Sequence, residues 1–379
     1  FIESDPTGAR LVERFILATV RNGKVEGLPA RAPLELTQYV LSAAKRAPNK
    51  PSGNQSPRIS VGPAANAATE DISAPTEMVF QASDLILGAE EHEKTFDHIL
   101  RHARQRIVIH STFINEAKFV AIRPRLFDAV RRGVLIDILW GENEDPEKTG
   151  PDTTRATVAR LRQQLVSDGL EAGIRIHPFS SGSHAKLIVA DDGRSSRFFA
   201  VLGSCNWFAT GFASFEASVR LRAPQMVANV LGQLAELSKG ADGHWTELTN
   251  EFARMSHEAR RLPPPAGPRA KMALVLGPQH AGFVRLARDT ATRRLFVTSH
   301  RLGAATGPVV VVPAIEAVRR RGINVDVYYG TPTGHKSGTD AARMTVLAAQ
   351  DGVVIRPVRE PRLHAKILAW DDDFLLVTS

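Results

Sequence analysis

The sequence predicts an α/β protein made of two copies of one lobe, and three observations carry that prediction. Short β-branched runs alternate with amphipathic helical stretches. The runs recur in the same order at a nearly constant offset, far longer than the 20–50 residues of a solenoid repeat. One rare polar pattern occurs once in each copy. Each lobe is expected to be a mixed β-sheet flanked by helices, with the two lobes packed as a pseudo-dimer.

Along the chain, apolar residues at helical spacing in 9–20 and 33–46 predict a short helical segment over 1–46. Residues 47–77 are rich in Pro, Ser, Asn, Ala and Gly and read as a linker or mobile loop. The first lobe is expected over 78–225. Within it DLILG (84–88), RIVIHS (106–111) and AVRRGVLIDILWG (129–141) match ALVLG (273–277), RLFVTS (294–299) and AVRRRGINVDVYYG (317–330) at an offset of 188 or 189. Further on, GIRIHPFSSGSHAKLIVADD (173–192) matches GVVIRPVREPRLHAKILAWDD (352–372), the offset having fallen to 180 through a shorter connection. Residues 226–270 read as a helical connector from Met226 to Glu258 and a proline-rich linker, RRLPPPAGPR, that no helix or central strand accommodates. The second lobe is expected over 271–379.

A chain of 379 residues, 43% apolar and 23% charged, has room for two or three ordinary domains and excludes a small disulfide-stapled scaffold. No apolar run approaches the ~20 residues that span a bilayer. The lone cysteine, Cys205, forbids an internal disulfide and points to a reducing compartment, so a cytoplasmic location is expected. The sequence begins at Phe1 without a signal pattern and is read as part of a longer polypeptide, which leaves room for further domains or subunits. The net charge of +8 is uneven: residues 260–379 hold 18 basic and 9 acidic side chains, while the rest is nearly balanced. Such an excess suits an anionic partner, nucleic acid or anionic lipid.

The rare pattern is H-x-K-x4-D: His184, Lys186 and Asp191, then His364, Lys366 and Asp371. From 12 His, 11 Lys and 19 Asp it should arise about 0.02 times by chance, and it arises twice at equivalent places in the repeat. A lone buried histidine on a strand is usually a satisfied core residue; two in register are not explained that way. Imidazole and ammonium together suit phosphodiester chemistry, which needs a neutral nucleophile, cations for the equatorial oxygens and an acid for the leaving alkoxide. Neither lobe has the full set, so the site is expected at the interface between them.

The doubled motif, with Gly203-Ser204-Cys205-Asn206 after the first copy and Thr378-Ser379 after the second, resembles the phospholipase D superfamily over roughly residues 78–379. The resemblance implies a phosphohistidine mechanism without metal or cofactor. It makes His184 and His364 the nucleophile and the acid–base group, Lys186 and Lys366 the phosphate ligands, and Asp191 and Asp371 further members of the catalytic motif in a supporting role. Ser204, Asn206 and Ser379 would support the pocket, and Glu216 looks like the acid that orients a catalytic imidazole. His184, whose own copy carries the complete G-S-x-N element, is the expected nucleophile.

Several residues have a plainer reading beside the functional one. Asp191-Asp192 and Asp371-Asp372-Asp373 look like solvated hairpin turns. The Glu142, Glu144, Asp145, Glu147 cluster looks solvated, and Cys205 a small buried side chain. A long hairpin after Asp191 carries Arg194 and Arg197, and His300 and Arg301 lie where they could reach substrate phosphate. The second G-S-x-N has Thr378 in place of Gly, and its Asn lies beyond Ser379, so the second half-site is read as truncated. The favoured activity is a nuclease. The alternatives are a phospholipase D or phosphatidyl transferase acting on membrane lipid, and a nucleic-acid-binding subunit with an impaired second half-site.

Overall fold

The computed structural model describes residues 2–3 and 75–379, apart from 143–152, 194–196, 210, 241, 304–305, 334–338 and 372. The helices expected within 1–46 lie outside the described residues, as does nearly all of the expected linker.

Strands β1 (Ile2–Glu3) and β2 (Thr76–Val79) precede the first lobe. That lobe runs β3 (Leu85–Leu87), α1 (Gly88–His102), β4 (Arg106–Ser111), α2 (Glu116–Arg131), β5 (Leu135–Trp140), α3 (Thr154–Ser167), β6 (Ile174–Ile176), β7 (Leu187–Asp191), β8 (Phe198–Gly203), β9 (Ser214–Phe215) and β10 (Ala217–Leu221). Two helices follow, α4 (Pro224–Leu237) and α5 (Glu247–Arg260), where one connector was expected. The break falls in the glycine-containing stretch 238–246, and Thr246 restarts the helix by accepting from the Thr249 amide at 3.1 Å.

The second lobe runs β11 (Arg269–Met272), α6 (His280–Thr290), β12 (Arg294–Leu302), α7 (Val312–Arg321), β13 (Asn324–Pro332), α8 (Thr339–Gln350), β14 (Val353–Pro357), β15 (Arg362–Leu363), β16 (Lys366–Trp370) and β17 (Phe374–Thr378).

The sheets bear the duplication out. The first has the order β3-β10-β8-β7-β4-β5-β6, and the second contains β17-β16-β12-β13-β14, the same arrangement as β8-β7-β4-β5-β6. In both, three parallel strands joined through helices meet an antiparallel hairpin: β4 pairs parallel with β5 and antiparallel with β7, as β12 does with β13 and β16. The motif strands β7 and β16 are central and buried, which is why LIVA and ILAW are continuous apolar runs. One boundary differs from expectation. Met78 and Val79 belong to the second sheet, paired with Ala270 and Arg269, where β2, β11 and β1 extend it beyond β17.

One apolar core lies between the lobes, with Val108, Leu139, Leu187 and Phe215 facing Phe296, Tyr328, Leu363 and Ile367, and with α4 closing one side. Separate outer cores sit under the helices of each lobe. A buried network of Arg106 and Arg175 with Asp137 and Glu251 ties α5 to the first sheet. The lobes are also stitched by backbone: β9 and β15 form a two-stranded parallel sheet across the interface, with Leu363 opposite Phe215. The amides of His364 and Ala365 both donate to the Phe215 carbonyl at 2.9 Å, so the second motif is hung directly beside Glu216.

Candidate active site

Each histidine sits just ahead of a motif strand, on a segment pressed against the end of β5 or β13, one strand beyond β4 or β12. Gly141 and Gly330, equivalent in the repeat, make that approach possible. A Cβ at Gly141 would lie 1.8 Å from the Ser183 carbonyl oxygen, and one at Gly330 2.0 Å from that of Leu363, the residues just before the histidines. The next residue back from the strand is held from β4 or β12. His110 Nδ1 donates to the Ala185 carbonyl at 2.7 Å, and Thr298 Oγ1 donates to the Ala365 carbonyl at 2.9 Å.

In the first half-site the Lys186 ammonium is fully buried, within 2.9 Å of Thr112 Oγ1, 2.7 Å of the His184 carbonyl and 2.9 Å of His184 Nδ1. The ammonium form only donates, so while Lys186 is charged His184 Nδ1 accepts and its proton resides on Nε2. Phe113 stands edge-on to the His184 ring at 6.4 Å.

The second half-site is organised differently. His364 Nδ1 donates to Glu216 Oε2 at 2.8 Å, and Ser204 Oγ donates to the same oxygen at 2.5 Å. With Nδ1 protonated, His364 Nε2 carries the free lone pair. Glu216 is wholly buried, and Lys366 Nζ donates to the His364 carbonyl at 3.1 Å. His300 packs edge-on to His364, ring centres 4.3 Å apart, and its Nε2 accepts from Arg362 at 2.9 Å.

The charges of each half-site act on the groups of the other. Burial first, then Lys186, Lys366, His364 and Arg301, push His184 down to about 4. Burial, Lys366, Lys186 and Arg362 push His364 down to about 3. Burial and Lys366 bring Lys186 down to about 7; burial, opposed by Glu216 and aided by Arg301, brings Lys366 to about 8. Burial lifts the Glu216 carboxyl to about 7. Both imidazoles are therefore neutral at neutral pH, among groups with an excess of positive charge that suits an anion.

Not every expected residue joins them. Asp191 lies at the far end of β7 from Lys186, where its carboxylate accepts from the amides of Arg104, Gln105, Arg106 and Gly193 at 2.8–3.0 Å. Asp371 does the same for the amides of Thr292, Arg293 and Arg294, and those bonds lower its pKa against the raising effect of burial. These two aspartates are neither at the imidazoles nor in solvated turns: both are buried and pin the turn leading into β4 or β12. Glu142, expected to be solvated, accepts from the Thr154 amide at the start of α3; Glu144, Asp145, Glu147 and Arg194 lie outside the described residues. Arg197 is exposed, Cys205 and Asn206 are buried beside Ser204, and Ser379 follows β17 as Ser204 follows β8.

Thr112 and Arg362 escaped the sequence reading. Thr112 matches His300 through the 188-residue offset, and Arg362 is two residues before His364, so both were within reach of the repeat alignment.

A family model described as "Cardiolipin synthase, PLD-like domain" matches residues 96–237. The fold is similar to the crystal structure of phosphatidylserine synthase from Haemophilus influenzae Rd KW20, with a TM-score of 0.52 and 11% identity over 79% of this chain and 78% of that one. The family model spans 142 of the 379 residues, and the likeness to the synthase extends a shared fold over most of the chain. Polyphosphate kinase from Porphyromonas gingivalis is also similar, at a TM-score of 0.44 and 13% identity over 77% of this chain and 44% of that one. No curated protein sequence matches significantly. Among the described residues no helix is long and apolar enough to cross a membrane.

Proposed function

We propose that this protein is a phosphodiesterase of the phospholipase D superfamily working through a phosphohistidine, with nucleic acid as its substrate. The observation that carries the chemistry is the His364–Glu216 contact, which leaves a neutral imidazole with its Nε2 lone pair free beside the ammoniums of Lys186, buried, and Lys366, half-buried. His364 Nε2 attacks phosphorus, the P–N bond forms and the bond to the leaving oxygen breaks. Lys186 and Lys366 take the charge on the equatorial oxygens. The substrate's negative charge offsets the two ammoniums and raises His184, which takes a proton at Nδ1 from the Lys186 ammonium as it delivers its Nε2 proton to the leaving oxygen. In the second step His184 takes a proton from water at Nε2 and returns its Nδ1 proton to Lys186, the water oxygen attacks phosphorus, and the P–N bond breaks to restore His364.

This reverses the expected roles, and the reason is structural. Ser204, from the complete G-S-x-N element of the first copy, reaches Glu216 and through it His364 of the second, not His184 in its own lobe. The charges of both lysines act on both imidazoles, which favours an enzyme over a binding subunit.

Nucleic acid is supported by the basic excess of residues 260–379 and by Arg301 and Arg362 beside the pocket. A lipid phosphodiester is the second reading, supported by the cardiolipin synthase family model and by the exposed Phe113 next to His184. Incubation in EDTA with single-stranded oligonucleotide, plasmid, RNA and anionic phospholipid vesicles tests both. Cleavage of nucleic acid alone is expected; release of headgroup from vesicles alone would replace the substrate assignment, and dependence on added Mg²⁺ or Mn²⁺ would overturn the mechanism.

A further inference from the structure

We infer that Arg301 and Arg362 form a second anion subsite next to the catalytic phosphate, built for a substrate with another phosphate on the second-lobe side. This rests on the phosphodiesterase reading above and names the substrate feature the site selects.

The two arginines flank the catalytic groups from different elements. Arg301 extends from the end of β12, where its charge is felt by His184, Lys366 and His300. Arg362 lies on the cross-lobe strand β15, two residues before His364, and its charge is felt by His300 and His364. His300 links the two places: its ring rests against His364, and its Nε2 accepts from Arg362. Burial and the neighbouring positive charges push His300 down to about 3, so it stays a neutral acceptor and positions the guanidinium without cancelling its charge.

That sets Arg301 and Arg362 apart from the arginines that are paired elsewhere in the fold. Arg106, Arg175, Arg222, Arg288 and Arg319 each face a carboxylate. Among the described residues no carboxylate pairs with Arg301 or Arg362, and both are exposed. A guanidinium offers a planar fork that matches phosphate, and two without an anion beside a phosphoryl-transfer pocket are a site for one.

The subsite is on one side only. The repeat places Thr112, Phe113 and Gly182 in the first lobe where His300, Arg301 and Arg362 stand in the second. The cleft is thus polar in direction: an uncharged flank on the Phe113 side and a second phosphate on the Arg362 side. An adjoining nucleotide and a doubly phosphorylated lipid headgroup both present that chemistry.

Equilibrium binding to the full chain tests this without turnover, so it is separable from failure of the phosphodiesterase reading, which shows as absent hydrolysis. The probes are thymidine 5′-phosphate against thymidine 3′,5′-bisphosphate, and glycerol 3-phosphate against glycerol 1,3-bisphosphate. At least about a tenfold gain from the second phosphate is expected in one pair, and the pair showing the larger gain identifies the source. In Arg301→Gln and Arg362→Gln the gain should fall below about threefold, while Arg359→Gln, which removes the same charge from a nearby exposed position, should keep it. No gain in either pair, a gain that survives both substitutions, or an equal loss in Arg359→Gln would overturn the inference.

Discussion

The two half-sites descend from one repeat, yet they hold their imidazoles with opposite charges. In the first lobe His184 accepts from a buried ammonium steadied by Thr112; in the second, His364 donates to a buried carboxylate supplied by the other lobe. An accepting Nδ1 leaves a proton on Nε2, and a donating Nδ1 leaves a lone pair there. A symmetric architecture therefore presents one proton donor and one nucleophile, which is what in-line displacement requires. The rims diverge in the same sense, aromatic beside His184 and basic beside His364.

Replacing the histidines should expose this difference most strongly. With a p-nitrophenyl phosphodiester, whose leaving group needs no proton, His184→Asn should still release a burst of p-nitrophenolate, while steady turnover on ordinary esters falls ~10²- to 10⁴-fold. His364→Asn should show neither burst nor turnover. Bursts of equal size in both variants would break the comparison.

The supporting groups come next. Glu216→Gln should lower kcat by ~10²-fold or more, as for carboxylates that set the tautomer of a catalytic imidazole. Thr112→Val, which removes one of three contacts to Lys186, should cost less than about tenfold. Equal losses would mean that the carboxylate is not special.

Thermal stability against pH sharpens the role of Lys186. Its ammonium titrates near 7 in the folded chain against 10.5 when unperturbed, so folding disfavours the proton. The destabilisation is fully present below about pH 7 and fades as pH rises toward 10. Lys186→Met should therefore raise Tm most at pH 6–7, by an amount that shrinks toward pH 10. A gain growing with pH would contradict the burial argument.

The smallest catalytic effect is expected at the motif aspartates. Asp191→Asn and Asp371→Asn should each cost about 1–3 kcal/mol of stability, because buried amides lose a charged acceptor. They should change kcat by less than about threefold. A loss of hundreds-fold with unchanged Tm would return them to the catalytic set.

The duplication was legible because buried central strands must be apolar on both faces, so β4, β5 and β7 left near-copies in β12, β13 and β16 at a steady offset. The His-Lys pairs were legible because a rare polar pattern interrupts those runs. What one lobe supplies to the other was harder to read. Glu216 belongs to the first repeat in sequence and to the second half-site in space, a link made by the two-residue strands β9 and β15, too short to leave any periodicity. The aspartates misled for a related reason: a buried acid that satisfies three backbone amides has the same sequence signature as one in an open turn. Met78 and Val79 joined the second sheet by pairing with β11, about 190 residues away, which no local pattern signals.

Locating the covalent phosphorus tests the central claim most directly. The full chain, quenched during turnover of a p-nitrophenyl phosphodiester and digested under conditions that preserve phosphohistidine, should carry the adduct on the peptide containing His364, with more of it in His184→Asn. Phosphorus on His184, or an adduct that persists in His364→Asn, would contradict the account.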